Sequence, residues 1–138
     1  MNTTVRHVGN QANPNAVDPA ATAAQFAERL LSDDCERLVE EFYTEGARLV
    51  PPDCSPIMGR DPIRRHWTGI VEAGLKGAEI RISCVERAGR EAVGLGRYTL
   101  AFGSDERHES GAFFVRYRRQ GDGSWKAAEQ IFHSDTAA

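Results

Sequence analysis

The stretch Phe42-Tyr43-Thr44-Glu45-Gly46-Ala47-Arg48-Leu49-Val50-Pro51-Pro52, followed by Ile57-Met58-Gly59-Arg60-Asp61-Pro62-Ile63-Arg64-Arg65-His66-Trp67, decides how this chain is read. Gly46 marks the end of a helix, and residues 47–50 form a short strand stopped by the two prolines, which cannot continue a hydrogen-bonded ladder. Residues 53–56 make a turn, and Ile57-Met58 returns beside the strand. Asp61-Pro62 then opens a helix, because a carboxylate caps free N–H groups and proline costs nothing at the first helical position. The stripe Ile63, His66, Trp67, Ile70 and Val71 repeats at helical spacing up to Gly74.

Before this core, Asp18-Pro19 is an earlier instance of the same opening device. Ala23, Phe26, Ala27, Leu30 and Leu31 follow as one apolar helix face. A second helix begins at Asp33 or Asp34, with Asp33 and Glu36 at capping-box spacing and the stripe Cys35, Leu38, Val39, Phe42 and Tyr43. Eight carboxylates between Asp18 and Glu45 against Arg29 and Arg37 give this pair an acidic, solvated outer face. Residues 1–17 lack periodicity and read as a flexible tail, leaving 18–138 as a single domain.

After Gly77 the apolar period changes from helical to two. Residues 78–86 and 92–102 are strands joined around Ala88-Gly89, and 108–119 and 125–134 are strands joined by Gln120-Gly121-Asp122-Gly123-Ser124. Helices followed by an antiparallel meander make an α+β fold. The last two strands are apolar on both faces: Phe113, Val115 and Tyr117 alternate with Ala112 and Phe114. One face packs on the helices. The other is expected to meet a second copy of the chain, since no further helix is left to cover it, or else the sheet curves enough to cover itself.

The 138 residues carry 17 basic and 20 acidic side chains, a formal charge of −3 that argues against a nucleic-acid binder. No apolar run is long enough for a membrane span, and no basic-then-apolar signal pattern opens the sequence, so a cytoplasmic protein is expected. Cys35, Cys54 and Cys84 are odd in number and widely spaced, which reads as reduced thiols.

In their order and spacing these motifs resemble the NTF2-like superfamily, and within it the SnoaL-like and DUF4440 proteins related to ketosteroid isomerase. The run Gly111-Ala112-Phe113-Phe114-Val115-Arg116-Tyr117, then Asp122-Gly123-Ser124-Trp125-Lys126 and His133-Ser134-Asp135, is similar to their final hairpin. The resemblance spans about residues 20–135. It implies a cone-shaped barrel in which a curved antiparallel sheet wraps three helices around a deep pocket, and a homodimer formed through the outer face of the sheet. The isomerase roles are vacant. The base position falls at Pro51, the donor tyrosine near Phe26 or Ala27, and the donor acid near Val115 or Arg116.

Pocket-wall positions are kept in kind by Tyr43, Trp67 and Phe132, and Gln130 shares the face of Phe132 by strand alternation. Such a pocket suits a small apolar or aromatic metabolite. Of the polar candidates His66, His108, His133, Asp53, Glu129 and Arg116, the expected catalytic pair is His66 as general base with Asp53 orienting it across the entrance. Alternation puts Glu129 and His133 on the face of Trp125, away from Phe132. Metal-ligand spacings, phosphate loops and nucleophile motifs are absent, so neither metal nor cofactor is expected. Two readings remain: a cofactor-free acid–base enzyme (isomerase, dehydratase or cyclase-like), and a non-catalytic ligand-binding or association module, which the terminal hairpin also resembles.

Overall fold

The computed structural model describes residues 18–103 and 107–135, so the tail expected over 1–17 lies outside the described residues. A 3₁₀ turn at Pro19–Ala21 leads into α1 (Thr22–Leu31), α2 (Cys35–Phe42), β1 (Tyr43–Val50), β2 (Ile57–Met58), α3 (Arg60–Glu72), β3 (Leu75–Ala88), β4 (Glu91–Phe102), β5 (Arg107–Arg119) and β6 (Trp125–Ser134). No helix among the described residues is long and apolar enough to cross a membrane.

The helix ends show which local signals governed folding. Asp18 caps the opening turn through Ala20 N–H, and Asp34, rather than Asp33, caps α2 through Arg37 N–H. Helix α2 stops at Phe42, four residues before Gly46, because Tyr43 turns into extended backbone and buries its ring completely. The freed carbonyls find another partner: the Arg60 guanidinium donates to Tyr43 O at 3.0 and 2.8 Å and reaches Glu40 O at 3.5 Å. Asp61 does not cap α3 as the sequence suggested. Gly59 holds that position at φ +91°, and Asp61 lies in the first turn, where a carboxylate suits the helix dipole and pairs with Arg64 and Arg65 at 2.8 Å. The Gly-Arg pair thus has a structural meaning: glycine makes the sharp entry and arginine ties α3 to the end of α2.

The strands form one six-stranded sheet in the order β2-β1-β6-β5-β4-β3. Two features differ from the expected antiparallel barrel. Strand β1 pairs with β6 in parallel, making the sheet mixed, and the sheet is open, with β2 and β3 at its edges. Extra residues also interrupt the ladders. Glu129 pairs with Arg116 while Ala127 pairs with Tyr117, so Ala128 bulges and the alternation of β6 changes phase. Trp125 and Ala127 therefore lie on the buried face together with Gln130, Phe132 and Ser134. Glu129 and His133 do not share a face with Trp125, which corrects the strict alternation assumed from sequence.

The helices pack against one face of this sheet. Phe26 and Leu30 of α1, Leu38 and Phe42 of α2, and Ile63 and Trp67 of α3 are buried against Tyr98, Phe113, Val115, Tyr117 and Phe132. Leu31, expected in the α1 stripe, instead lies 46% exposed at the last position of the helix. Each fully buried large side chain contributes about 1.5–3 kcal/mol relative to exposure. Aromatic rings meet edge to face through the core, with Phe26 4.7 Å from Phe42 and 5.2 Å from Trp67.

Candidate functional site

A cavity of about 180 Å³ lies between α3 and the sheet. The helical spacing 63, 66, 67, 70 puts Ile63 into the core and turns His66, Trp67 and Ile70 toward this space. Phe26 closes it from α1. From the sheet come Ile80, Tyr98, Leu100, Glu109 and Phe132, and the turn after β1 supplies Pro51, Pro52 and Cys54. Phe132 is the hub of the aromatic wall, with ring centroids 5.8 Å from Trp67 and 5.1 Å from Tyr98, both nearly perpendicular.

Polar groups in this lining are few. The His66 ring stands edge to face with Trp67 at 4.9 Å, and burial lowers its pKa below the usual imidazole value, so it is neutral at pH 7. Tyr98 Oη donates to Glu109 Oε2 at 3.3 Å, and its pKa is raised, first by burial and then by the adjacent carboxylate. Among the described residues Glu109 makes no ion pair.

The burial of His66 has a measurable consequence. Its folded pKa lies below 6.5, so as pH falls through 6.5 the unfolded chain binds the proton first and unfolding is favoured. The melting temperature of the wild type is expected to fall between pH 7.5 and 5.5, with a smaller fall in His66→Gln. Equal slopes for the two proteins would contradict this.

The structure brings three of the expected site residues, His66, Trp67 and Phe132, to the cavity. Tyr43 and Gln130 stand behind the wall instead. Trp67 Nε1–H donates to Tyr43 Oη at 3.0 Å, and Tyr43 Oη donates in turn to Gln130 Oε1. All three are buried, and burial raises the Tyr43 pKa well above the phenol range. This chain of bonds fixes the orientation of Trp67. Asp53 is exposed on its turn at φ +59°, outside the lining, and no hydrogen bond or ion pair joins it to His66. The acid that does share the cavity is Glu109. Its signal was present in the sequence: on β5 it is in phase with Gly111, Phe113, Val115 and Tyr117 of the buried face.

The other polar candidates lie elsewhere. Glu129 forms ion pairs with Arg48 at 2.5 Å and Arg116 at 3.6 Å, and His108 and His133 are exposed. A larger groove, of about 390 Å³, runs between α1, α2 and the β5–β6 turn. It is open, and its Arg29 and Glu41 already pair with each other at 3.0 Å, so it has less to offer a small apolar ligand.

No family model matches the sequence. No curated protein is similar to it in sequence. Solved structures do share the fold. An NTF2-like protein with a cystatin-like fold from Novosphingobium aromaticivorans superposes with a TM-score of 0.73 at 16% identity, covering 86% of this chain and 80% of that one. A ketosteroid isomerase-like protein from Erwinia carotovora atroseptica gives 0.68 at 16% identity, covering 85% and 92%. An NTF2-like protein of unknown function from Shewanella oneidensis MR-1 gives 0.68 at 14% identity, covering 82% and 94%. The chain has the NTF2-like fold.

Proposed function

We propose that this NTF2-like chain holds a small, one-ring apolar or aromatic metabolite in the cavity beneath α3, and that His66 exchanges a proton with it without a cofactor. The observation that carries this reading is an apolar cavity containing a histidine kept neutral by burial. Its volume of about 180 Å³ is close to the ~150 Å³ that accommodates a single benzene ring inside a protein, so the four fused rings of a steroid do not fit. With the isomerase roles falling at Pro51, near Phe26 or Ala27, and near Val115 or Arg116, any proton transfer has to use different groups. His66 is the one in the lining with an unprotonated ring nitrogen at pH 7.

Burying ~200 Å² of ring surface at ~25 cal/mol per Å² yields about 5 kcal/mol, a dissociation constant of a few tenths of a millimolar. Calorimetric titration with benzyl alcohol is expected to give such a value, and Ile80→Phe, which fills the cavity, to weaken it about tenfold. Absence of binding, or binding indifferent to Ile80→Phe, would contradict the pocket assignment. For the chemistry, hydrogen–deuterium exchange at the methyl group of acetophenone is expected to be accelerated by the protein and not by His66→Gln. No acceleration beyond that of free imidazole would remove the catalytic half and leave a binding protein.

The same reading includes a homodimer through the outer face of the sheet. Direct cross-strand partners Cys84, Leu95, Phe114, Ile131 and Val50 form one apolar row across five strands, with Leu95 47% exposed. A row of this kind is more than scattered surface apolarity. Sedimentation is expected to show a dimer for the wild type and a monomer for Phe114→Glu. A monomeric wild type would contradict it.

A further inference from the structure

The composition of the cavity wall points past apolarity to charge. Four aromatic rings, Phe26, Trp67, Tyr98 and Phe132, surround the space, and neighbouring rings meet at 70–85° like the walls of a box. The one lining side chain that is charged at neutral pH is Glu109. The nearby basic group Arg97 is already engaged by Asp135, and Arg107 lies over the Phe102 ring at 4.5 Å. Ring faces carry negative quadrupole density that attracts cations, and a carboxylate without a basic partner reinforces that field. His66, the remaining ionisable nitrogen in the wall, does not oppose a cation because it is neutral there.

We propose that the occupant of this cavity is an organic cation, a protonated amine or quaternary ammonium on a one-ring apolar body, with Glu109 as the residue that selects the charge. This rests on the cavity being a ligand site. The tyrosine hydroxyl at 3.3 Å from Glu109 Oε2 is a weak, displaceable donor, so the carboxylate can turn to an ammonium group without losing a strong bond. The aromatic body then rests in the cavity against the wall that Trp67 and Phe132 form together.

Two probes of nearly the same shape test this, benzylamine and benzyl alcohol, titrated calorimetrically at pH 7 into wild type, Glu109→Gln and Ile80→Phe. Benzylamine is expected to bind the wild type about tenfold more tightly than the alcohol. The difference is expected to shrink below about threefold in Glu109→Gln, because the amine loses more affinity than the alcohol. Both probes are expected to weaken in Ile80→Phe. Equal binding of the two by the wild type overturns the charge selection and leaves the cavity reading intact. Benzylamine binding that Ile80→Phe does not weaken places the cation on the acidic helix surface, and overturns it also. Failure of both probes to bind overturns the cavity reading and this inference with it.

Discussion

Gly111→Val is expected to leave the chain unable to fold, or to cost at least about 4 kcal/mol where any folded protein survives. A Cβ at Gly111 would lie 2.1 Å from the His133 carbonyl oxygen, 2.9 Å from Ser134 Cα and 2.9 Å from the Tyr98 ring. Two of these three neighbours are backbone of β6, which cannot rotate aside, so the clash has to be relieved by separating β5 from β6, with Tyr98 displaced as well. Both movements open the wall of the cavity. Overpacking in a fixed core commonly costs 1–3 kcal/mol, and a contact this short with paired backbone exceeds that range. Gly96, where a Cβ would meet Arg81 O at 2.2 Å, makes the same kind of close approach on β4. Gly69 is the control. It lies in α3 with nothing within 4 Å, and Gly69→Ala is expected to stabilise by about 0.5–1 kcal/mol through helix propensity. Urea denaturation followed by circular dichroism measures both. A Gly111→Val protein as stable as wild type would show that β5 and β6 do not approach as described.

Tyr43→Phe is expected to lose about 2–4 kcal/mol while keeping the fold. The ring remains, but its hydroxyl is the shared partner of Trp67 Nε1–H and Gln130 Oε1, all three groups being buried. Removing it strands two buried polar groups at once, each costing about 1–3 kcal/mol. The effect should extend to the site, because Trp67 loses the bond that sets its ring against the cavity. Benzyl alcohol affinity is therefore expected to drop several-fold in a variant that still folds. A change under about 0.5 kcal/mol would indicate that water replaces the hydroxyl.

Much of this structure was legible in the sequence because its signals are local. Asp18-Pro19, the α1 and α2 stripes, the helical face of Ile63, Trp67 and Ile70, and the strand at 125–134 all follow from spacing and turn chemistry acting over a few residues. What escaped were decisions taken across the fold. The end of α2 at Phe42 depends on Arg60, 17 residues beyond Tyr43, supplying the carbonyl partners that a local glycine was expected to make unnecessary. The parallel β1–β6 pairing joins segments from opposite ends of the domain, and nothing in either strand alone specifies direction. The bulge at Ala128 inverts the phase of β6, so strict alternation misplaced Trp125 relative to Glu129. In the site, Trp67, Phe132 and His66 were legible as an aromatic wall with an inward histidine. Tyr43 and Gln130 were recognised as inward, but the layer in which they stand, behind the wall, needed three dimensions. The carboxylate expected from the turn beside Pro51, Asp53, is replaced at the site by Glu109, which the phase of β5 brings to the cavity.

The central claim is that the small cavity under α3, and not the larger groove beside α1 and α2, is where this protein meets its ligand. Methyl-resolved NMR during titration with benzyl alcohol tests it most directly. Ile70, Ile80 and Leu100 line the cavity, and Leu38 lines the groove. The predicted result is saturable shifts at the first three methyl sets with Leu38 unmoved. Shifts centred on Leu38, or none at Ile70, Ile80 and Leu100 at millimolar ligand, would contradict the account.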